Sequence, residues 1–184
     1  MSLSLLAILL GAGMSLPQIY GIANPGKFAA AARRFPRNLG VGVVLMLLGT
    51  AWFAWNVYSE PVADFSVFKP YMIGGFIAVG VLSCIYVRDF LAVRGLAVVA
   101  LLLAKLMVDT GRPHLGQSPW VLLIQYWAYA LVVLGIWFTI TPWRLRDLLI
   151  WATETKARIL VACVIRLAFA LFVIALGLTA FRAM

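Results

Sequence analysis

Six apolar segments, each about as long as a membrane-spanning helix, account for most of the sequence. A bilayer core about 30 Å thick requires roughly 20 apolar residues in a helix that crosses it. Six segments of that kind within 184 residues predict an all-α, polytopic membrane bundle of about six transmembrane helices arranged in three hairpins. The segments cover residues 2–23, 39–58, 70–87, 90–110, 119–140 and 159–181.

The composition supports lipid as the solvent for this chain. Hydrophobic residues make up 65% of the sequence and charged residues 11%, whereas a soluble domain has about 25% charged residues. The six segments leave no room for a separate soluble domain, so we expect one integral membrane domain over residues 1–184. Residues 2–23 lack a basic region and a clear cleavage site, and we expect them to be the first span rather than a signal peptide.

The fourth segment is the least regular, because Arg94 and Lys105 interrupt it. These residues are 11 positions apart, which corresponds to about 16 Å along a helix. Each side chain can therefore extend to its own membrane interface with its stem in lipid. We expect this segment to span the membrane as well.

Basic residues are distributed unequally between the loops. Loops one, three and five carry ten of them, the opposite side carries four, and Arg166 lies within the last segment. Lysine and arginine are retained on the cytoplasmic side. We therefore expect these three loops in the cytoplasm and both termini on the non-cytoplasmic side.

Two of the cytoplasmic loops have the pattern of short helices that lie in the headgroup layer. Pro25 and Pro142 each follow a capping residue, which is a common start for a helix. Apolar residues then recur at i, i+3, i+4 and i+7, with charged residues off this stripe. Such loops attract anionic lipid at about 1 kcal/mol per basic residue. The apolar stripes consist of Phe28, Ala31, Ala32 and Phe35, and of Leu145, Leu148, Leu149 and Ala152; Arg33, Arg34 and Arg37 lie off the first.

Arg166 is the first candidate functional residue. A charge within a span costs roughly 2.5 kcal/mol or more and indicates a functional site that binds an anion or a carboxylate. The alternative is that the helix from Pro142 continues along the interface to Arg158. Arg166 would then lie two turns inside the membrane and extend to the headgroups, and we favour this interpretation.

The second candidate site is a polar cluster at the end of the fourth segment. It consists of Lys105, Asp109, Arg112 and His114. Lys105 and Asp109 share a helix face at i, i+4. The cluster predicts either a pore mouth or substrate site, or a capped and solvated helix end, and we favour the helix end.

The sequence contains no catalytic constellation. HExxH, Gly-x-Ser-x-Gly and a phosphate-binding Gly-Lys-Ser/Thr are absent, and no span contains paired carboxylates. His114 is the single histidine, and Cys84 and Cys163 lack metal-ligand spacing. We expect no enzyme activity, no cofactor, no metal and no nucleic-acid partner.

Two runs resemble conserved bacterial inner-membrane proteins of unknown function: RDFLAVRGLA at residues 88–97 and TPWRLRD at residues 141–147. The C-terminal hairpin with Arg166 is similar to small two-span proteins of unknown function. The resemblance implies the bacterial inner membrane and no particular activity. Pro17-Gln18 resembles the PQ-loop transporters, which include small sugar and amino-acid carriers, but the chain has no second Pro-Gln pair.

The functional hypothesis is a non-enzymatic accessory, scaffold or lipid-interacting component of the membrane. Its expected partners are the lipid bilayer, including anionic headgroups, and other membrane proteins or further copies of the chain. The alternative is a small passive channel or small-solute transporter that uses Arg166 or the cluster from Asp109 to His114 as its selective element.

Overall fold

The computed structural model describes residues 2–60 and 68–182, and their regular secondary structure is entirely helical. Six of the helices are long and apolar enough to cross a membrane. Their ends agree with the six predicted segments to within three residues, so the prediction of six span-length helices is confirmed. They are α1 (Leu3–Ala23), α3 (Leu39–Ser59), α4 (Lys69–Tyr86), α5 (Leu91–Gly111), α6 (Trp120–Ile140) and α8 (Lys156–Leu178).

Two shorter helices connect the long ones, α2 (Pro25–Arg34) and α7 (Pro142–Ala152). Each begins at the proline that the sequence indicated. The predicted continuation of the second helix to Arg158 is wrong, because α7 ends at Ala152 and α8 begins at Lys156. Thr155 caps the new helix, since its Oγ1 accepts a hydrogen bond from the backbone nitrogen of Arg158 at 3.3 Å.

The fourth segment forms the continuous helix α5 despite its two charges. Arg94 lies in the first turn, and Lys105 lies six residues before the end of the helix. The preceding Phe90 adopts a left-handed φ of 54°, which is uncommon for an aromatic residue. Its carbonyl accepts hydrogen bonds from the backbone nitrogens of Val93 and Arg94, so this turn starts the helix.

The helices form two compact units. The first unit contains α1, α2, α5 from Leu103, α6 as far as Leu131, and the chain from Arg146 through α8. Its centre is the close packing of α1 against α8. The second unit contains α3, α4, α5 as far as Leu102, and residues 132–145.

Glycines bring the helices of the second unit together. A Cβ atom added at Gly42 would lie 2.6 Å from the backbone nitrogen of Ala92, and α3 therefore contacts α5 through its backbone. Gly80 on α4 faces Thr50 of α3. Gly74 and Gly75 on α4 make no such contact, because a Cβ atom at either would meet only open space.

Candidate functional site

Arg33 in the last turn of α2 is bound to Thr153, directly after α7. Its Nε donates to Thr153 Oγ1 at 2.9 Å, and its Nη2 donates to the backbone oxygen of Thr153 at 2.6 Å. The Thr153 hydroxyl in turn donates to the carbonyl of Leu149 at 2.7 Å. A cation that binds carbonyl groups at a helix C-terminus stabilises that end. Arg33 thereby holds α2 to the end of α7.

An aromatic and ionic group lies next to Thr153. Arg158 forms an ion pair with Glu154 and places its guanidinium 5.3 Å from the centre of the Trp151 ring. Its Nη1 also donates to the backbone oxygen of Trp151 at 3.3 Å. These contacts are local and exposed, so they add little stability. They hold the Arg158 guanidinium against the exposed ring of Trp151.

The surroundings of the Arg33–Thr153 contact are strongly basic. We call α2 together with residues 146–158 the basic junction. It carries six cationic and two acidic side chains, and both acidic side chains are paired within the junction, one by Arg146 at 2.8 Å and the other by Arg158. Three exposed cations have no ion-pair partner in the described part of the chain: Lys27, Arg34 and Lys156.

Helices α1 and α8 extend from the basic junction as an antiparallel pair. A Cβ atom at Gly11 would lie 2.7 Å from the carbonyl oxygen of Ala170, and one at Gly21 would lie 2.7 Å from the Cys163 sulfur. At the far end of the pair, Ser4 donates to the carbonyl of Gly177 at 2.6 Å. Along these contacts the residue numbers increase on α1 and decrease on α8. The contacts therefore define the register of an antiparallel pair.

Arg166 lies near the middle of α8, ten residues after Lys156. It stands three residues after Cys163 and four before Ala170, both buried residues that face α1, so it belongs to the same helix face. Its side chain is exposed nevertheless. Within residues 2–60 and 68–182 it has no hydrogen-bond or ion-pair partner. Because α8 begins at Lys156, Arg166 lies about 15 Å along the helix from its N-terminal end.

Along the α1–α8 pair, Gln18 on α1 lies at about the level of Arg166 on α8. It falls between Gly11 and Gly21 on α1, just as Arg166 falls between Ala170 and Cys163 on α8. Gln18 is only 7% exposed, and its Oε1 has no hydrogen-bond partner among the described residues. Buried polar groups are normally satisfied, which makes this amide an exception. The sequence indicated Gln18 only through the Pro-Gln pair.

The polar residues at the end of α5 make separate local contacts. Lys105 and Asp109 form an exposed ion pair at 2.6 Å along the helix. His114 Nδ1 lies 3.0 Å from Gln117 Oε1 in the following turn. Arg112 is exposed and joins neither pair. The structure thus separates the four predicted residues into local contacts typical of a solvated helix end.

The described residues contain no group of three or more His, Cys, Asp or Glu side chains that could hold a metal ion. Cys84 and Cys163 are free thiols. No protein-family model, curated protein or solved structure matches the chain.

Proposed function

We propose that this chain is a non-enzymatic integral membrane protein of the bacterial inner membrane that binds anionic lipid headgroups at its basic junction. The observation that carries the proposal is the pair of hydrogen bonds from Arg33 to Thr153. They hold the C-terminal end of α2 beside the link between α7 and α8, so the exposed cations of both segments belong to one part of the first unit. Fixed cations bind an anionic surface without the entropic cost of being gathered first.

The charge distribution favours lipid as the ligand. The junction belongs to the loops that the distribution of Lys and Arg assigns to the cytoplasm, where the leaflet carries anionic lipid. Trp151 is exposed beside Arg158, and tryptophan is enriched at the headgroup level of membranes. Each unpaired cation near the surface is expected to contribute about 1 kcal/mol.

The test is lipid binding to the purified protein in detergent, measured by native mass spectrometry with titrated phosphatidylglycerol and phosphatidylcholine. The variant replaces Lys27, Arg34 and Lys156 by glutamine. At about 1 kcal/mol per cation, it should bind phosphatidylglycerol on the order of 100-fold more weakly. Binding of phosphatidylcholine should not change.

A matched control neutralises three cations outside the junction: Lys69, Arg112 and Arg182 to glutamine. The proposal expects this control to retain nearly all of the affinity for phosphatidylglycerol. Equal losses in the two triple variants would mean that net charge alone governs binding, and the basic junction would have no special role.

A small-solute transporter is the second candidate, favoured by the unpaired position of Arg166 within a span. It is tested by solute flux into liposomes that contain the wild-type protein or Arg166→Leu. Flux that is present in the wild type and lost in a normally inserted variant would support a transporter. Absence of flux in both would support the lipid-binding proposal.

A further inference from the structure

We propose that the N-terminal half of α8 docks a transmembrane helix of another protein, and that an aspartate or glutamate on this partner helix pairs with Arg166. The contact surface, which we call the α8 flank, consists of Val161, Ala162, Ile165 and Arg166. It contains no residue of the basic junction. The inference therefore does not depend on the proposed binding of anionic lipid there.

Arg166 is a cation in the middle of a span-length helix. Ten residues of α8 precede it and twelve follow it, which places it about 15 Å from one end of the helix and about 18 Å from the other. Its side chain is exposed, and it has no hydrogen-bond or ion-pair partner within residues 2–60 and 68–182. A charge at this depth is costly unless an opposite charge pairs with it. Arg166 therefore requires an anion within the membrane core.

The long helices of this chain do not supply that anion. Their sequences contain a single acidic residue, Asp109. It lies in the last turn of α5 and forms an ion pair with Lys105 at 2.6 Å. A second copy of the chain would offer the same engaged carboxylate near a helix end. The partner of Arg166 is therefore a different protein with an acidic residue inside its span.

The other residues of the α8 flank suit contact with a helix. Val161 and Ile165 are 59% and 64% exposed and are four residues apart, as are Ala162 and Arg166, so the four residues form two adjacent rows. Ala162 is small, and small residues let transmembrane helices approach closely. A partner helix along these rows covers apolar side chains and brings its carboxylate beside the Arg166 guanidinium.

Depth favours a protein carboxylate over a lipid phosphate as the partner of Arg166. Phosphate groups lie in the headgroup layer, about 15 Å from the middle of a bilayer core that is about 30 Å thick. A carboxylate on a helix lies at the depth that its position in the span gives it. The guanidinium binds a carboxylate through two parallel hydrogen bonds, and a pair of this kind satisfies both charges away from water.

The test uses a synthetic membrane-spanning peptide of leucine and alanine with one aspartate at its centre. The full-length protein and the peptide are reconstituted in phosphatidylcholine vesicles, and fluorescence energy transfer between them measures binding. The wild type should bind the aspartate peptide about tenfold or more tightly than a peptide with asparagine at the same place, because hydrogen bonds to charged groups are the stronger ones. Moving the aspartate two turns towards either end, about 10 Å, should remove most of this advantage.

Three variants of Arg166 test the charge directly. Arg166→Gln should bind the aspartate and asparagine peptides equally, and Arg166→Lys should keep most of the preference for aspartate. Arg166→Glu should instead prefer a peptide with a central lysine. The matched control is Arg158→Gln, which removes another exposed arginine of α8 that is already paired with Glu154; it should keep the full preference. Thermal melting verifies that every compared variant is folded.

Three results overturn this inference: equal binding of the two peptides by the wild type, a preference for aspartate that persists in Arg166→Gln, or tightest binding when the aspartate lies near the end of the peptide. If phosphatidylglycerol in the vesicles abolishes the preference, a lipid phosphate pairs with Arg166 and the assignment to a protein partner is wrong. Failure of the basic junction is distinguishable, because its triple variant would then bind phosphatidylglycerol normally while the preference for aspartate remains.

Discussion

Arg33 and Thr153 are 120 residues apart in sequence and are joined by two hydrogen bonds, one to the hydroxyl and one to the backbone oxygen of Thr153. Thr153 is 4% exposed, so the contact has a buried acceptor and a charged donor. Hydrogen bonds that involve charged groups are the stronger ones. This contact is therefore a strong polar connection between α2 and the end of α7.

We expect Arg33→Gln and Thr153→Val each to lower the free energy of unfolding by about 1–3 kcal/mol, because each leaves a polar partner unsatisfied. The double variant should lose less than the sum, since the hydrogen bond from Arg33 Nε to Thr153 Oγ1 is removed in all three cases. Reversible unfolding in mixed micelles measures these values. Arg34→Gln is the control, and a loss as large as that of Arg33→Gln would assign the effect to charge rather than to Thr153.

The contact between α1 and α8 should depend on Gly11. Valine at this position would place side-chain atoms against the carbonyl of Ala170 and the side chain of Ile174, and we expect a loss of about 1–3 kcal/mol. Gly13→Val is the control, because a Cβ atom there meets nothing within 4 Å. Thermal unfolding in detergent compares the two, and equal melting temperatures would contradict the described packing.

The ion pair of Lys105 and Asp109 should contribute little. Both side chains are exposed, and exposed pairs at i, i+4 contribute about 0.3–0.5 kcal/mol. Asp109→Asn should therefore leave stability and lipid binding nearly unchanged in the same unfolding and lipid assays. A large loss of either would restore the cluster of Lys105, Asp109, Arg112 and His114 as a functional site.

The predicted orientation has its own test. A reporter fused after Thr110 should indicate the non-cytoplasmic side, and one fused after Ala152 should indicate the cytoplasm, because the basic loops are retained there. A cytoplasmic signal after Thr110 would mean that α5 does not cross the membrane.

The six long helices could be predicted because apolar length is a local property of the sequence. The long helix α5 could be predicted despite its two charges. Arg94 and Lys105 are far enough apart for each side chain to reach a different membrane interface. The apolar stripe of Leu145, Leu148, Leu149 and Ala152 ends where α7 ends, but we did not predict from it the break between α7 and α8. It depends on Thr153 and Thr155, whose hydroxyl groups make hydrogen bonds at the two helix ends.

For the candidate sites, the sequence could identify residues by their chemical type, but not their depth, partners or burial. Arg166 was indicated by its charge within an apolar run, but its depth depends on where α8 begins. Arg33 was assigned to the headgroup-facing side of an amphipathic helix, and nothing local indicated a partner 120 residues away. The burial of Gln18 follows from the register of α1 against α8, which glycine spacing alone does not fix.

The most direct measurement of the central claim is the lipid composition around the protein after detergent-free extraction from a bacterial inner membrane in polymer nanodiscs. We predict that anionic lipids are enriched around the wild type relative to the bulk membrane, and that the enrichment is lost when Lys27, Arg34 and Lys156 are replaced by glutamine. A wild-type lipid shell with the composition of the bulk membrane would contradict the proposed binding of anionic lipid at the basic junction.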